Sequence, residues 1–196
     1  EKCKTTVGTM FDRASAILVE NKLNPDIFAL QFAVYRSYNS KDDKILQVSP
    51  WETKPDQLRA FMTTIRSEGG WGEEAVEIGL WHANQEAEHE SITQVILIGD
   101  APATPTEDEV KKRRQQLGEN YWNNTKFRQP TFYKNEVQEL KQRGIPVHAF
   151  FVNNWAENDF KIIAKETNGQ SAPLDINSDG GAEVLTNLVT KQILQD

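Results

Sequence analysis

Val95-Ile96-Leu97-Ile98-Gly99-Asp100-Ala101-Pro102 is the stretch on which the fold turns. Four apolar residues in a row cannot alternate between core and water, so the run predicts a strand covered on both faces, as parallel strands are. Gly99, Asp100 and Pro102 stop it with turn chemistry. Upstream, residues 27–35 are as apolar and as rich in aromatic and branched side chains, and predict a second covered strand. Residues 44–48 can follow it by a hairpin, halted at Pro50. Downstream, 147–152 and 172–176 read as further strands. Helical spacing of apolar residues fills the intervals near 2–21, 55–66, 73–86, 107–118, 132–143, 156–168 and 181–195, and Thr106 with Glu109 forms a capping box. Residues 118–131 are irregular and aromatic. This alternation predicts one α/β domain over 1–196, with 28–35, 95–99, 147–152 and 172–176 in a mostly parallel sheet and helices on both faces.

The chain has 196 residues, with 22 Lys and Arg against 29 Asp and Glu, a formal net charge of -7. That balance repels a phosphate backbone and argues against nucleic acid. No apolar run is long enough to span a bilayer and no basic-then-apolar leader is present, so the stretch given reads as soluble. Cys3 is the only cysteine, which excludes an internal disulfide and a Cys-cluster zinc site and favours a reducing compartment. The opening at Glu1, inside a helical pattern, reads as a piece of a longer polypeptide.

Four segments occur in an order known from one family: Phe28 to Tyr35 continuing Arg36-Ser37-Tyr38, the loop Gly69-Gly70-Trp71-Gly72-Glu73-Glu74-Ala75, Val95 to Ala101, and Ile145 to Phe150. In this the chain resembles von Willebrand factor type A (vWA) domains along essentially its whole length. The resemblance implies a doubly wound, Rossmann-like sheet of order 3-2-1-4-5-6, with ligands docking outside the strand carboxyl ends. It also implies a divalent-metal adhesion site on three loops: an Asp-x-Ser-x-Ser motif after the first strand, a Thr before the third helix, and an Asp after the fourth strand. Only the last is plainly present, as Asp100. The motif and the strand before it are absent, and the Thr position falls in the Gly69 to Glu73 loop. In that order, loss of the first strand leaves two strands about 9–10 Å apart with unpaired facing edges. The gap calls for an upstream segment or another chain to supply the central strand, or for the sheet to close up.

The candidate metal ligands are Asp100, at a strand carboxyl end, and Glu73, in a first helical turn beside Glu74; either can instead bond to loop amides or cap a turn. His82, Glu86 and His89 share a helical face that suits zinc, but a polar exposed face explains them better. His148 reads as a satisfied core histidine. The Lys111 to Arg114 cluster reads as a solvated helix face rather than a nuclear address. Asn123-Asn124-Thr125 matches the glycosylation acceptor pattern. No nucleophile motif, phosphate loop or dinucleotide fingerprint occurs. The leading expectation is a non-enzymatic protein-binding domain in which a partner carboxylate completes a Mg²⁺ shell at Asp100. Its anchors would be Trp71, Tyr121, Trp122 and Phe127, aromatics in loop or irregular segments, the alternative being that Trp122 and Phe127 fold back to cover the fifth helix. A metal-independent scaffold module docking through 119–133, and a metal-dependent hydrolase using Asp100 and Glu73, stand as alternatives.

Overall fold

The computed structural model describes residues 1–68 and 72–195. In chain order the elements are α1 (Lys2–Glu20), β1 (Ala33–Tyr35), α2 (Asp42–Ile45), β2 (Leu46–Val48), α3 (Pro55–Thr64), α4 (Val76–Ala87), β3 (Val95–Gly99), α5 (Glu107–Arg114), α6 (Glu119–Trp122), α7 (Tyr133–Gln142), β4 (Val147–Phe151), α8 (Glu157–Glu166), β5 (Ser171–Pro173) and α9 (Gly180–Gln195). The protein is α/β, with a three-stranded parallel sheet and a two-stranded antiparallel one. No helix among the described residues is long and apolar enough to cross a membrane.

The chain divides into two compact units. The first comprises Glu1–Ala33, Val48–Glu68 and Asp175–Asp196, and is built on α1 packed against α9 and α3. Val7, Met10, Phe11, Ala14 and Leu18 recur at the helical period and are buried, as are Leu58 and Met62 of α3 and Leu185 and Val189 of α9. Phe28 meets Phe11 edge-on at 5.4 Å. Arg59 makes a two-pronged bond to Asp12, at 2.8 and 2.9 Å.

The second unit comprises Val34–Gln47 and Gly69–Leu174. Its sheet runs β3-β4-β5, with Val95 opposite Val147 and Gly99 opposite Phe151, then Ala149 opposite Ser171. β4 is buried at every residue, as a central strand should be. Val147, Ala149 and Phe151 join Val76 and Leu80 of α4, Val137 and Leu140 of α7, and Phe160 and Ile163 of α8 in one core. His148 is buried, and its Nδ1 accepts the Gln170 N–H at 3.0 Å, so it is a satisfied core histidine. The turn after α8 holds Asn168, with φ of 59°, and then Gly169, where a Cβ would lie 2.0 Å from the Val147 carbonyl oxygen.

The expected strand over 27–35 is reduced to three residues, and its sheet is not the one that contains 95–99. Pro25–Ile27 forms a single 3-10 turn, and Ile27 is exposed. The shortening comes with a partner seventeen residues on. Leu30 bridges Glu52, but the next amide, Phe32 N–H, donates to the Ser49 hydroxyl at 2.9 Å instead of continuing the ladder.

Candidate functional site

In the second unit, three loops are sewn together by backbone bonds beyond the carboxyl end of β3. Ala75 N–H donates to the Arg36 carbonyl and Glu74 N–H to the Pro102 carbonyl, each at 3.1 Å, and Glu74 and Ala103 form a parallel bridge. The Ser37 hydroxyl donates to the Glu73 carbonyl at 3.2 Å, and Ala103 N–H to the Asp159 carboxylate at 3.0 Å. These bonds hold residues 72–75 beside Asp100, which is exposed directly after β3.

The two candidate metal ligands fare differently. Asp100 is exposed at the strand end, whereas the Glu73 carboxylate is ion-paired to Arg113, which also donates to the Glu73 carbonyl at 3.1 Å. Glu74 is the acid that senses Asp100. Burial, and then the Asp100 charge, push its carboxyl up to about 7 against the pull of Arg36. Replacing Asp100 by Asn should therefore lower the Glu74 midpoint while leaving it above the ordinary carboxylate range. A side-chain carboxyl NMR titration checks this, and an unmoved midpoint would show that the two acids do not interact.

Mg²⁺ demands near-octahedral oxygen ligation. Here the Glu73 carboxylate is ion-paired to a guanidinium and Glu74 is about half protonated near pH 7, so the residues present fit that ion poorly. Among the described residues no group of three His, Cys, Asp or Glu side chains could hold a metal. His82, Glu86 and His89 do not share one helical face, because α4 ends at Ala87 and His89 lies in the turn beyond.

The aromatic segment is placed otherwise than as a set of surface anchors. Trp122 is fully buried and Phe127 nearly so. Trp122 donates from Nε1 to the Arg114 carbonyl at 3.0 Å and meets Tyr38 edge-on at 6.0 Å. Tyr121 is half-buried and hydrogen-bonded to Asp42. Trp71 lies outside the described residues. The basic cluster is also half-hidden. Arg114 is 1% exposed, bonded to both Glu119 oxygens at 2.9 Å and to the Phe127 carbonyl at 2.8 Å, with its guanidinium 5.3 Å from the Trp122 ring centre. The segment folds back because a buried guanidinium needs acceptors and the carbonyls of Phe127 and Arg128 supply them.

Two groups escaped the sequence reading. Glu77 is fully buried in the first turn of α4 and accepts from the Tyr38 hydroxyl at 2.9 Å. Trp155 follows β4 and is 55% exposed, its backbone N–H held by the Asn153 side chain at 3.0 Å. Its ring lies against Gly72, where a Cβ would come within 2.8 Å of it. Asn153-Asn154-Trp155 directly after an apolar strand was the available signal, since ligands of open α/β sheets gather at strand carboxyl ends.

No protein-family model, curated protein or solved structure matches the chain.

Proposed function

We propose that the chain is a vWA-like, doubly wound domain that binds a protein partner without catalysis, through the carboxyl end of its parallel strands. The observation that carries this reading is the pair of exposed groups flanking the sewn loop at 72–75: Asp100 on one side and Trp155, laid on Gly72, on the other. An exposed Trp and an exposed carboxylate flanking the same loop supply an aromatic anchor and a polar group, the composition typical of binding hot spots. The separation of β1 and β2 from β3, β4 and β5 also agrees with the vWA order with its central strand left out. The motifs that carry the resemblance supply the rest of the support.

The test is partner capture with wild-type, Trp155→Ala and Asp100→Asn baits. Loss of an anchor of about 2 kcal/mol weakens binding roughly thirtyfold, whereas truncating an exposed side chain changes stability by only about 0.5 kcal/mol. Retention of the same proteins by all three baits would overturn the assignment of this surface. Mg²⁺ should bind this polypeptide no more tightly than millimolar, because Asp100 is the one clear ligand left to it. Calorimetry giving micromolar, Asp100-dependent affinity would refute that.

A further inference from the structure

One guanidinium fastens the loop at 72–75 to α5, and a second acid stands behind it. Arg113 is ion-paired to the Glu73 carboxylate, donates to the Glu73 carbonyl at 3.1 Å, and reaches Glu109, one turn back in its own helix, at 3.4 Å. The other bonds described for this loop run to neutral groups: the carbonyls of Arg36 and Pro102 and the Ser37 hydroxyl. Glu77 follows in the first turn of α4 and is fully buried. It is faced by the Tyr38 hydroxyl from the loop after β1, by the Thr104 hydroxyl from the loop before α5, and by the Arg113 charge from α5. A carboxylate formed there needs a cation, because a buried charge left unpaired is costly. Arg114 is committed to both Glu119 oxygens and to the Phe127 and Arg128 carbonyls. Arg113 has partners that water can replace, since Glu73 and Glu109 are each 32% exposed.

We propose that Arg113 is a two-position latch: with Glu77 protonated it clasps Glu73 and holds the loop at 72–75 to α5, and with Glu77 ionised it turns inward to Glu77 and releases Glu73 to water. Burial pushes the Glu77 carboxyl up to about 7, so the exchange falls near neutrality, latched on the acid side and open on the alkaline side. The Trp155 ring rests on Gly72, so an open latch also unseats one end of the binding surface. That consequence alone rests on the function proposed above.

Amide hydrogen exchange between pH 5.5 and 8.5 tests this, read as protection factors so that the base catalysis of exchange is removed. The amides of Glu74 and Ala75, bonded to the Pro102 and Arg36 carbonyls, report the loop, and that of Ala149, bonded to the Gln170 carbonyl, reports opening of the whole unit. Across this range Glu74 and Ala75 should lose about fivefold more protection than Ala149. Glu77→Gln should keep them protected at pH 8.5. In the wild-type protein the Arg113 side-chain Nε resonance should titrate with the midpoint of the Glu77 carboxyl, a measurement that depends on no variant folding. Four results would overturn the proposal: loop protection that does not change with pH, loss only in step with Ala149, the same loss in Glu77→Gln, or an Arg113 resonance that does not titrate with Glu77. The third would assign the change to Glu74, which titrates in the same range. No partner takes part, so the outcome is independent of the capture experiment.

Discussion

Trp122→Ala should destabilise the second unit by about 3–5 kcal/mol, the usual loss when a large buried aromatic is truncated. The side chain is fully buried and has four partners to lose: the Arg114 carbonyl at its Nε1, the Tyr121 ring at 5.2 Å, the Tyr38 ring at 6.0 Å and the Phe127 ring at 6.3 Å. The cavity would open beside the Arg114 guanidinium, which also forfeits the ring it lies over. Urea unfolding monitored by far-UV circular dichroism measures the effect. A midpoint within error of the wild type would mean that Trp122 is a surface anchor after all. Trp155→Ala is the internal control, because its exposed ring should leave the same curve nearly unmoved.

Glu77 gives the second large effect, and it depends on pH. Burial pushes its carboxyl up from 4.5 to about 7, against the pull of its own backbone N–H, the Tyr38 and Thr104 hydroxyls and Arg113. Above 4.5 the unfolded chain releases a proton that the native state still holds, so stability is greatest on the acid side of this window. It declines as pH rises from 4.5 to about 7 and then levels off. At 1.36 kcal/mol per unit the decline is about 3 kcal/mol at most. Glu77→Gln keeps an acceptor for Tyr38 and removes the charge, so it should stabilise the protein at pH 8 and remove about half of the slope that the two acids supply together. Glu74, raised over the same range to about 7, supplies a slope of the same sign that remains in that variant. Unfolding midpoints of wild-type and variant protein measured from pH 4.5 to 8 decide the matter; two parallel curves would rule the account out.

Elements whose stability is written in their own residues were legible in the sequence. The run 95–99 is a strand because it can be nothing else, the Thr106 cap does accept the Glu109 N–H at 3.1 Å, and α1, α3 and α9 bury the stripes that their spacing declares. What escaped depends on partners distant in the chain. Nothing near Phe32 reveals that its amide goes to a hydroxyl seventeen residues on. Arg113 and Arg114 look identical to Lys111 and Lys112 until Glu73 and Glu119 are brought to them. The position of Asp100 was readable, because a strand end fixes it. The neutralisation of Glu73 was not, because its cause lies forty residues away.

The approach of Gly169 to the Val147 carbonyl bears on descent as well as on packing. At 2.0 Å from a backbone oxygen no side chain fits, and backbone cannot swing aside as a flexible side chain can. Drift among relatives could therefore rewrite the solvent-facing helices almost freely while that one position stayed closed to nineteen of the twenty amino acids. A glycine just past the helix that follows the all-buried strand is thus a requirement of this packing, whatever the surface around it carries.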